Sequence, residues 1–361
     1  MVTSYPFYCN LGQFIRPKPA CRIDKKTIDR LVLKHIVMDK YIGIDVSKQT
    51  FDACGLNRQG EMITLKPVNG SEGFRELLKH FNENQVFVME ATGPYYLKLA
   101  MFLHAKGRQV SVVNPLVIRR FSQMQLQRAK TDRKDAQIIR QYAIQNPVEL
   151  WYPEPREILE MQQILTSLEL LTKQRTASKN QLGAFTSSGI IDNQVKKTLE
   201  TMIKVIEEER KRLETRLNEI VEAHYAETRQ LLESIPGIGP KASAILIAIT
   251  SNFEKFAYHK QLTAYVGLSP RVYSSGTSVK GKGHICKMGK AQVRKQLYMS
   301  SWTAKIYNKA CSMMYERLRE KGKPERVIKI AIANKLLKQA FAIATSRNMY
   351  NECYVSSRLV A

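Results

Sequence analysis

The chain has 361 residues, of which 57 are Lys or Arg and 32 are Asp or Glu, so its formal net charge is +25. Hydrophobic residues make up 44% of the chain, which is ordinary for a globular protein and excludes a wholly disordered one. Six scattered cysteines without a CxxC pair, and no apolar stretch long enough to span a membrane, predict a reduced, cytoplasmic protein. So large a positive charge makes nucleic acid the first expected partner.

The first domain is predicted to begin near Met38. Residues 1–37 show no sustained hydrophobic period, and we interpret them as a loosely attached or disordered extension. From residue 38 to 150, three strands precede alternating helices and strands, beginning with the apolar run 41–46. This order is that of a ribonuclease-H-like α/β domain, although many α/β folds begin in a similar way.

Four carboxylates in this domain form the first candidate site. Asp45 and Glu90 each end a buried strand, and α/β sheets place their sites at the carboxyl ends of strands. Asp132 and Asp135 are three residues apart at the start of a helix and therefore share one face. Like charges this close repel unless a cation neutralises them, so the four predict one or two Mg²⁺ ions that serve phosphodiester chemistry. The alternative for Asp132 and Asp135 is that they only cap their helix.

Two basic clusters are predicted to contact nucleic acid. The first surrounds the helical aspartates and consists of Arg119, Arg120, Arg128, Lys130, Arg133 and Lys134. The second lies in residues 255–315, which contain eleven Lys or Arg and no Asp or Glu, whereas an ordinary solvated face mixes both signs. Its candidate ligands are Lys280, Lys282, Lys287, Lys290, Arg294 and Lys295. Aromatic residues, Trp302 among them, are interspersed, and one or two of them are candidates to stack on bases.

Residues 151–232 are predicted to form a long helical spacer. Apolar residues such as Ile206, Leu213, Leu217 and Ile220 recur with alternating spacings of four and three, which is typical of a coiled coil. A break at 187–189 divides the segment into an antiparallel hairpin. Its expected role is that of a spacer or an oligomerisation arm.

The remaining chain is predicted to be mainly helical. The turn at 235–240 resembles the hairpin of helix-hairpin-helix motifs, in which backbone N–H groups near glycines such as Gly237 and Gly239 meet a phosphate. An ordinary turn between two helices is the alternative. Residues 273–290 predict a loop, 291–310 and 327–344 predict helices, and 349–361 form a tail. The fold class is therefore α/β plus α.

Five segments, in combination and in order, resemble the DEDD-type insertion-sequence transposases, the class that includes the Piv-type invertases. They are YIGIDVSK at 41–48, VMEATG at 88–93, KTDRKDA at 130–136, IPGIGP at 235–240 and GLSPRVYSSGT at 267–277. The resemblance covers residues 38–348. It implies a RuvC-like domain at 38–150 that uses the four carboxylates, a coiled-coil spacer at 151–232, and a transposase domain at 233–348 with a catalytic serine.

The resemblance also implies partners and a particular nucleophile. The family places its serine in the matching Ser-Gly pair, which selects Ser275 over its hydroxyl-bearing neighbours. It further implies a structured bridge RNA that guides the choice of target and donor DNA. Recombination must hold four DNA ends, so a dimer or tetramer is expected.

Mechanism distinguishes Ser275 from a simple turn residue, although composition alone favours hydroxyls that bond their own backbone. A serine that attacks phosphorus retains the phosphodiester energy in a link that a second DNA hydroxyl can release, whereas water would discard that energy. One rival function is a RuvC-like junction resolvase that hydrolyses DNA with water. The other is an architectural DNA-binding protein without catalytic activity.

Overall fold

The structure is a computed structural model that describes residues 40–125, 132–271, 274–275, 279–280 and 284–352; for residues 132–133, 274–275 and 279–280 it describes the backbone alone. The described residues form two compact units, one up to Pro153 and the other from Glu154 onward. The predicted extension at 1–37 lies outside the described residues, as does the part of the tail from residue 353.

The first unit is built on a mixed five-stranded sheet. Its elements are β1 (Tyr41–Val46), β2 (Phe51–Leu56), β3 (Met62–Leu65), α1 (Ser71–His80), β4 (Val86–Glu90), α2 (Tyr96–Ala105), β5 (Gln109–Val113), α3 (Pro115–Met124) and α4 (Asp132–Gln145). The strand order is β3-β2-β1-β4-β5, with the first three strands antiparallel and β1, β4 and β5 parallel. The predicted meander followed by alternating helices and strands is confirmed.

The two faces of this sheet follow from the alternation of side chains along each strand. Ile42 and Ile44 of β1 point to one face, where they are buried in a core with residues of α1 and α2 such as Phe74 and Leu103. The other face bears Gly43, and there Val88 packs in a smaller core with apolar residues of α3 and α4. Each face of the sheet therefore has its own pair of helices.

Gly43 allows α4 to lie directly on β1. A Cβ atom at this position would overlap the carbonyl oxygen of Ala136 and lie 2.5 Å from the backbone nitrogen of Arg140. Arg140 is buried, and its Nε donates a hydrogen bond to the Tyr41 carbonyl at 3.0 Å. Arg140, late in α4, contacts Tyr41 at the start of β1, whereas Ala136, earlier in α4, lies beside Gly43 further along the strand. Helix α4 is therefore antiparallel to β1, and its first turn lies toward the carboxyl end of that strand.

We expect the Gly43→Ala substitution to loosen this contact and to destabilise the first unit by about 2–3 kcal/mol, since an added methyl must displace helix backbone. Hydrogen exchange of the full chain, resolved by mass spectrometry, should report faster exchange in α4. Gly70→Ala is the matched control, because a Cβ atom there meets open space, and it should cost less than about 1 kcal/mol. Equal protection of α4 in the wild type and the Gly43→Ala variant would contradict this reading of the packing.

The second unit is mostly helical. Its elements are α5 (Arg156–Ser187), α6 (Asn193–Glu233), α7 (Pro240–Thr250), α8 (His259–Val266), β6 (Pro270–Arg271), β7 (Ser274–Ser275), β8 (Val279–Lys280), β9 (His284–Ile285), α9 (Ala291–Tyr307), α10 (Lys309–Glu320) and α11 (Glu325–Ser346). Within the described ranges, no helix combines the length and the apolar character that a membrane span requires.

Helices α5 and α6 form a long antiparallel hairpin. Lys179 pairs with Glu207 at 2.8 Å and Glu160 with Arg216 at 3.9 Å, so residue numbers fall along one helix as they rise along the other. Of the predicted apolar stripe on α6, Ile206, Leu217 and Ile220 are buried and Leu213 is partly buried. The backbone of α6 leaves helical geometry at Tyr225, where the helix is kinked. The hairpin lies in the compact unit that begins at Glu154, and the separate spacer domain at 151–232 stays a prediction.

The second unit differs from the local predictions at three places. Residues 273–290 are not all loop, because β7 pairs with β8, and β6 at 270–271 pairs with β9 at 284–285. Helix α8 was not predicted. The helix predicted at 291–310 ends at Tyr307, because the buried Asn308 accepts a hydrogen bond from the Cys311 backbone nitrogen at 3.1 Å and so starts α10.

Candidate carboxylate site and nucleic-acid-binding surfaces

Asp45 and Glu90 lie on neighbouring strands at the same end of the sheet. The parallel register of β1 and β4 pairs Ile44 with Met89, so the next residues of the two strands are Asp45 and Glu90. Both are half-buried, and both point to the sheet face that carries Gly43. Glu90 Oε1 accepts a hydrogen bond from Thr92 Oγ1 at 2.9 Å. The register therefore brings the two strand-end carboxylates together.

Asp132 and Asp135 lie in the first turn of α4, on the same sheet face. The close contact of α4 with Gly43 directs this turn toward the Asp45 end of β1. Asp135 is half-buried, and the structure describes only the backbone of Asp132. One sheet register and one helix contact thus place the backbone positions of all four predicted acids at one end of one face.

A fifth acid, Asp52, belongs to the same row and was not identified from the sequence. It lies on β2 directly opposite Asp45 and is only 6% exposed. Lys66 follows β3 and forms an ion pair with Asp52 at 3.6 Å. The position of Asp52 opposite Asp45 could have been predicted from the short connection between Val46 and Phe51. A tight antiparallel hairpin sets which residues of its two strands lie opposite each other.

The donor set at this end of the sheet consists of carboxylates, with Lys66 as a neighbouring cation. Carboxylate oxygens are the ligands that hard divalent cations prefer, so the donors fit Mg²⁺. Among the described side chains, no three Asp, Glu, His or Cys residues are close enough to enclose a metal ion. The Asp132 side chain lies outside that set.

The first basic cluster is partly described. Arg119 and Arg120 are exposed on α3, and Lys134 is exposed on α4. Arg133 lies in α4 with only its backbone described, and Arg128 and Lys130 lie outside the described residues. The structure thus places Arg119, Arg120 and Lys134 on the two helices that cover the carboxylate-bearing face.

The turn at 235–240 joins α6 to α7 and contains two different glycines. Gly237 has a φ of +104°, and a Cβ atom there would lie 2.7 Å from the Cβ of Ala304, so this glycine faces the protein. Gly239 precedes α7, is exposed, and would direct a Cβ atom into open space. Asn308 Nδ2 donates to the Pro236 carbonyl at 3.4 Å, which ties the turn to the junction of α9 and α10.

Ser275 lies in the short strand β7, opposite Val279 of β8. The backbone of Lys280 is described in β8, and Lys282 lies outside the described residues. Ser275 therefore lies in a two-stranded ribbon within the acid-free segment.

The other basic residues of this segment differ in their surroundings. Lys287, Lys290 and Lys295 are exposed. Arg294 is half-buried, and its Nη1 donates to the Val266 carbonyl at 2.7 Å, so part of its guanidinium is occupied at the end of α8. Lysines rather than Arg294 thus provide the accessible charge here.

Comparison with known proteins identifies the family. A family model described as the DEDD transposase of IS110 matches residues 42–187, and the model of the IS116/IS110/IS902 transposase family matches residues 229–316. The pilin gene-inverting protein of Moraxella lacunata is 30% identical over 325 residues, which cover 86% of this chain and 98% of that protein. The chain belongs to the IS110 family of transposases. The transposase of insertion sequence IS1111A from Coxiella burnetii is 24% identical to it over 340 residues, 86% of this chain and 91% of that protein.

Membership of the IS110 family identifies the protein as an enzyme that cuts and rejoins DNA. The DEDD description also implies dependence on a divalent metal. The first matched region includes the sheet, α4 and α5, and the second includes the 235–240 turn, the short strand pairs and α9. Both candidate sites of this IS110-family transposase therefore fall inside matched regions.

Proposed function

We propose that this IS110-family transposase exchanges DNA strands through a covalent serine–DNA link, with Mg²⁺ held by Asp45, Glu90, Asp132 and Asp135. The observation that carries the proposal is the in-register placement of Asp45 beside Glu90 with the first turn of α4 on the same face. The strand order β3-β2-β1-β4-β5 supports a ribonuclease-H-like, RuvC-like identity for this unit.

The carboxylates would hold the metal, and the neighbouring bases would hold the DNA. Bound there, Mg²⁺ supplies positive charge that neutralises a phosphate and activates an attacking oxygen. Exposed Arg119, Arg120 and Lys134 attract and orient the DNA backbone by charge. Lys66 pairs with the buried Asp52 opposite Asp45 and so offsets part of the negative charge of this row of acids.

The proposed chemistry has two balanced transfers. In the first, the Ser275 Oγ attacks phosphorus, an Oγ–P bond forms, and the bond from phosphorus to the leaving sugar oxygen breaks. The proton lost by the serine hydroxyl is balanced by the one that the leaving oxygen gains. In the second transfer, a hydroxyl of another DNA strand attacks the same phosphorus and the Oγ–P bond breaks. The proton lost by that hydroxyl is balanced by the one that the Ser275 oxygen regains, so no external energy source is consumed.

The turn at 235–240 is proposed to bind a DNA phosphate in the manner of a helix-hairpin-helix motif. Gly239 supports this role, because it is exposed, lacks a side chain and stands at the amino end of α7. Backbone N–H groups at such an end attract anions. Gly237 plays a different part, since its close approach to Ala304 fixes the turn on α9.

We expect Gly239→Ala to weaken DNA binding roughly tenfold, because the added methyl holds the phosphate away from the backbone donors. Stability should change little, since the methyl meets open space. Fluorescence anisotropy with a labelled duplex measures the affinity. Gly70→Ala is the matched control, because Gly70 also precedes a helix and a Cβ atom there also meets open space. Unchanged affinity in a folded Gly239→Ala protein would leave the turn a purely structural connection.

The α5–α6 hairpin is proposed to act as a coiled-coil arm that joins copies of the transposase into a dimer or tetramer. The hairpin exposes large apolar side chains at mid-helix and toward the connection between its helices: Leu170, Phe185, Ile190, Val195, Met202 and Val205. Beside them the two helices enclose a groove of about 620 Å³ lined by Leu182, Gly183 and Ile203. Exposed apolar surface of this kind is typical of a protein–protein contact.

A structured bridge RNA is proposed as the guide that selects target and donor DNA. The net charge of +25 and the acid-free segment 255–315 support a second polyanion beside DNA. We expect that sequencing of nucleic acid co-purified from cells that carry the whole mobile element will yield one abundant RNA encoded beside the gene. A basic protein of similar charge from the same cells controls for adsorption. Recovery of the same ribosomal and transfer RNA fragments with both proteins would exclude the guide.

A further inference from the structure

One face of α9 carries exposed apolar and basic side chains that the proposed reaction does not use. Lys295, Met299, Trp302 and Ile306 follow one another at spacings of four, three and four, so they line one side of the helix. Their exposed fractions are large for apolar residues, 57% for Met299, 48% for Trp302 and 63% for Ile306. Helix α9 contains no acidic residue. Apolar surface beside basic charge points to a ligand with flat apolar rings and negative charge.

The Trp302 ring rests on a buried cation. Lys329 of α11 is 3% exposed, and its Nζ lies 3.1 Å from the centroid of the indole ring. Lys305, one turn along α9, places its Nζ 5.8 Å from the same centroid. One face of the indole packs on Lys329, and 48% of the residue is exposed, so the supported ring remains partly accessible.

A network of contacts from three helices holds this arrangement. Glu325 Oε1 accepts hydrogen bonds from Lys329 Nζ at 3.0 Å and Lys305 Nζ at 3.3 Å, and its Oε2 accepts one from the Tyr315 hydroxyl at 2.8 Å. These contacts, that of Tyr315 first, lower the pKa of Glu325 to about 2, so the carboxylate is ionised throughout the neutral range. The two lysines near the indole are therefore fixed in place, and the ring loses little freedom when a ligand stacks on it.

We propose that Trp302 is a stacking platform for an unpaired base of single-stranded DNA, with Lys295 on the same face as a contact for the backbone phosphate. The inference rests on the proposed function, because strand exchange separates DNA strands and so supplies unpaired bases. Aromatic rings stack on any base, whereas bases in the interior of a duplex are stacked on both sides and offer no free ring face. Met299 and Ile306 extend the apolar surface on either side of the indole. The absence of acids on α9 favours a polyanion over a protein partner.

The chain offers a direct optical test, because it contains only two tryptophans, Trp151 and Trp302. In the full-length Trp151→Phe protein, all tryptophan emission comes from Trp302. We expect single-stranded oligothymidine to quench this emission saturably, and a blunt duplex of the same length to bind without comparable quenching. We also expect Trp302→Ala to weaken single-strand binding roughly tenfold, as measured by anisotropy of labelled oligothymidine. Trp302→Phe, which retains a ring, should lose less affinity.

Tyr307→Ala is the matched control, since Tyr307 is an exposed aromatic of α9 that lies off this face. Normal single-strand affinity in folded Trp302→Ala protein, or quenching by oligouridine but not by oligothymidine, would overturn the proposal. A different pair of results would also overturn it: Trp302→Ala sediments as a monomer where the unsubstituted protein is an oligomer, and oligothymidine leaves the Trp302 emission unchanged. The face would then join two copies of the chain. Intact duplex binding and strand exchange in these variants would leave the proposed function standing, whereas loss of all nucleic-acid binding by the wild type would refute both.

Discussion

Asp45→Asn and Glu90→Gln variants of this IS110-family transposase are each expected to lose DNA strand exchange by roughly 10³-fold or more, because each removes a charged oxygen ligand from a site that stabilises phosphoryl transfer. Both substitutions preserve side-chain size, and both residues are half-buried, so the fold should persist. Strand exchange is measured on paired donor and target DNA in the presence of Mg²⁺ and the co-purified RNA. DNA binding, measured by anisotropy, should remain close to that of the wild type.

The control for this experiment is Glu76→Gln. Glu76 is an exposed carboxylate of α1, a helix on the opposite face of the same sheet, and its loss should leave strand exchange unchanged. The Asp132→Asn and Asp135→Asn variants extend the test to α4. Full activity in both α4 variants would reduce these two residues to helix-capping acids, and full activity of Asp45→Asn would remove the metal-site proposal altogether.

The second large effect is expected at Ser275. A suicide DNA substrate, nicked so that the cleaved end diffuses away, should trap the wild-type transposase as a covalent adduct, and mass spectrometry should locate the link at Ser275. Ser275→Ala should form no adduct and exchange no strands, because alanine has no oxygen that can attack phosphorus. A serine hydroxyl is a weak nucleophile that needs activation, so loss of metal should also prevent adduct formation.

Ser274→Ala provides the matched control, since Ser274 precedes Ser275 in β7 and lies opposite Lys280 rather than Val279. It should retain the adduct and most strand exchange. An adduct that persists in Ser275→Ala would transfer the assignment to another residue. Cleavage without any adduct, with the products released as hydrolysed ends, would instead support the junction-resolvase chemistry in which water attacks phosphorus.

The elements of the first unit could be predicted because their signals are local. Continuous apolar runs mark β1 and β4, and Asn114 followed by Pro115 marks the start of α3, where Asn114 accepts a hydrogen bond from the Leu116 nitrogen at 2.9 Å. The start of α10 could not be predicted in this way. It depends on Asn308, whose buried side chain also contacts Pro236 and Gln339, residues that are distant in the sequence.

The amino-acid sequence by itself determined that this protein is a basic, nucleic-acid-directed chain, with acids at two strand ends and a pair of acids at a helix start. Those properties follow from the amino-acid composition and from the pattern of apolar residues over short stretches of the chain. Only the tertiary structure decided that Asp52 lies opposite Asp45, and that Gly43 sets the first turn of α4 at the same end of the sheet. It likewise decided that Lys329 lies beneath Trp302, 27 positions earlier in the chain. Such contacts depend on strand register and helix packing, which bring together residues that no local pattern connects.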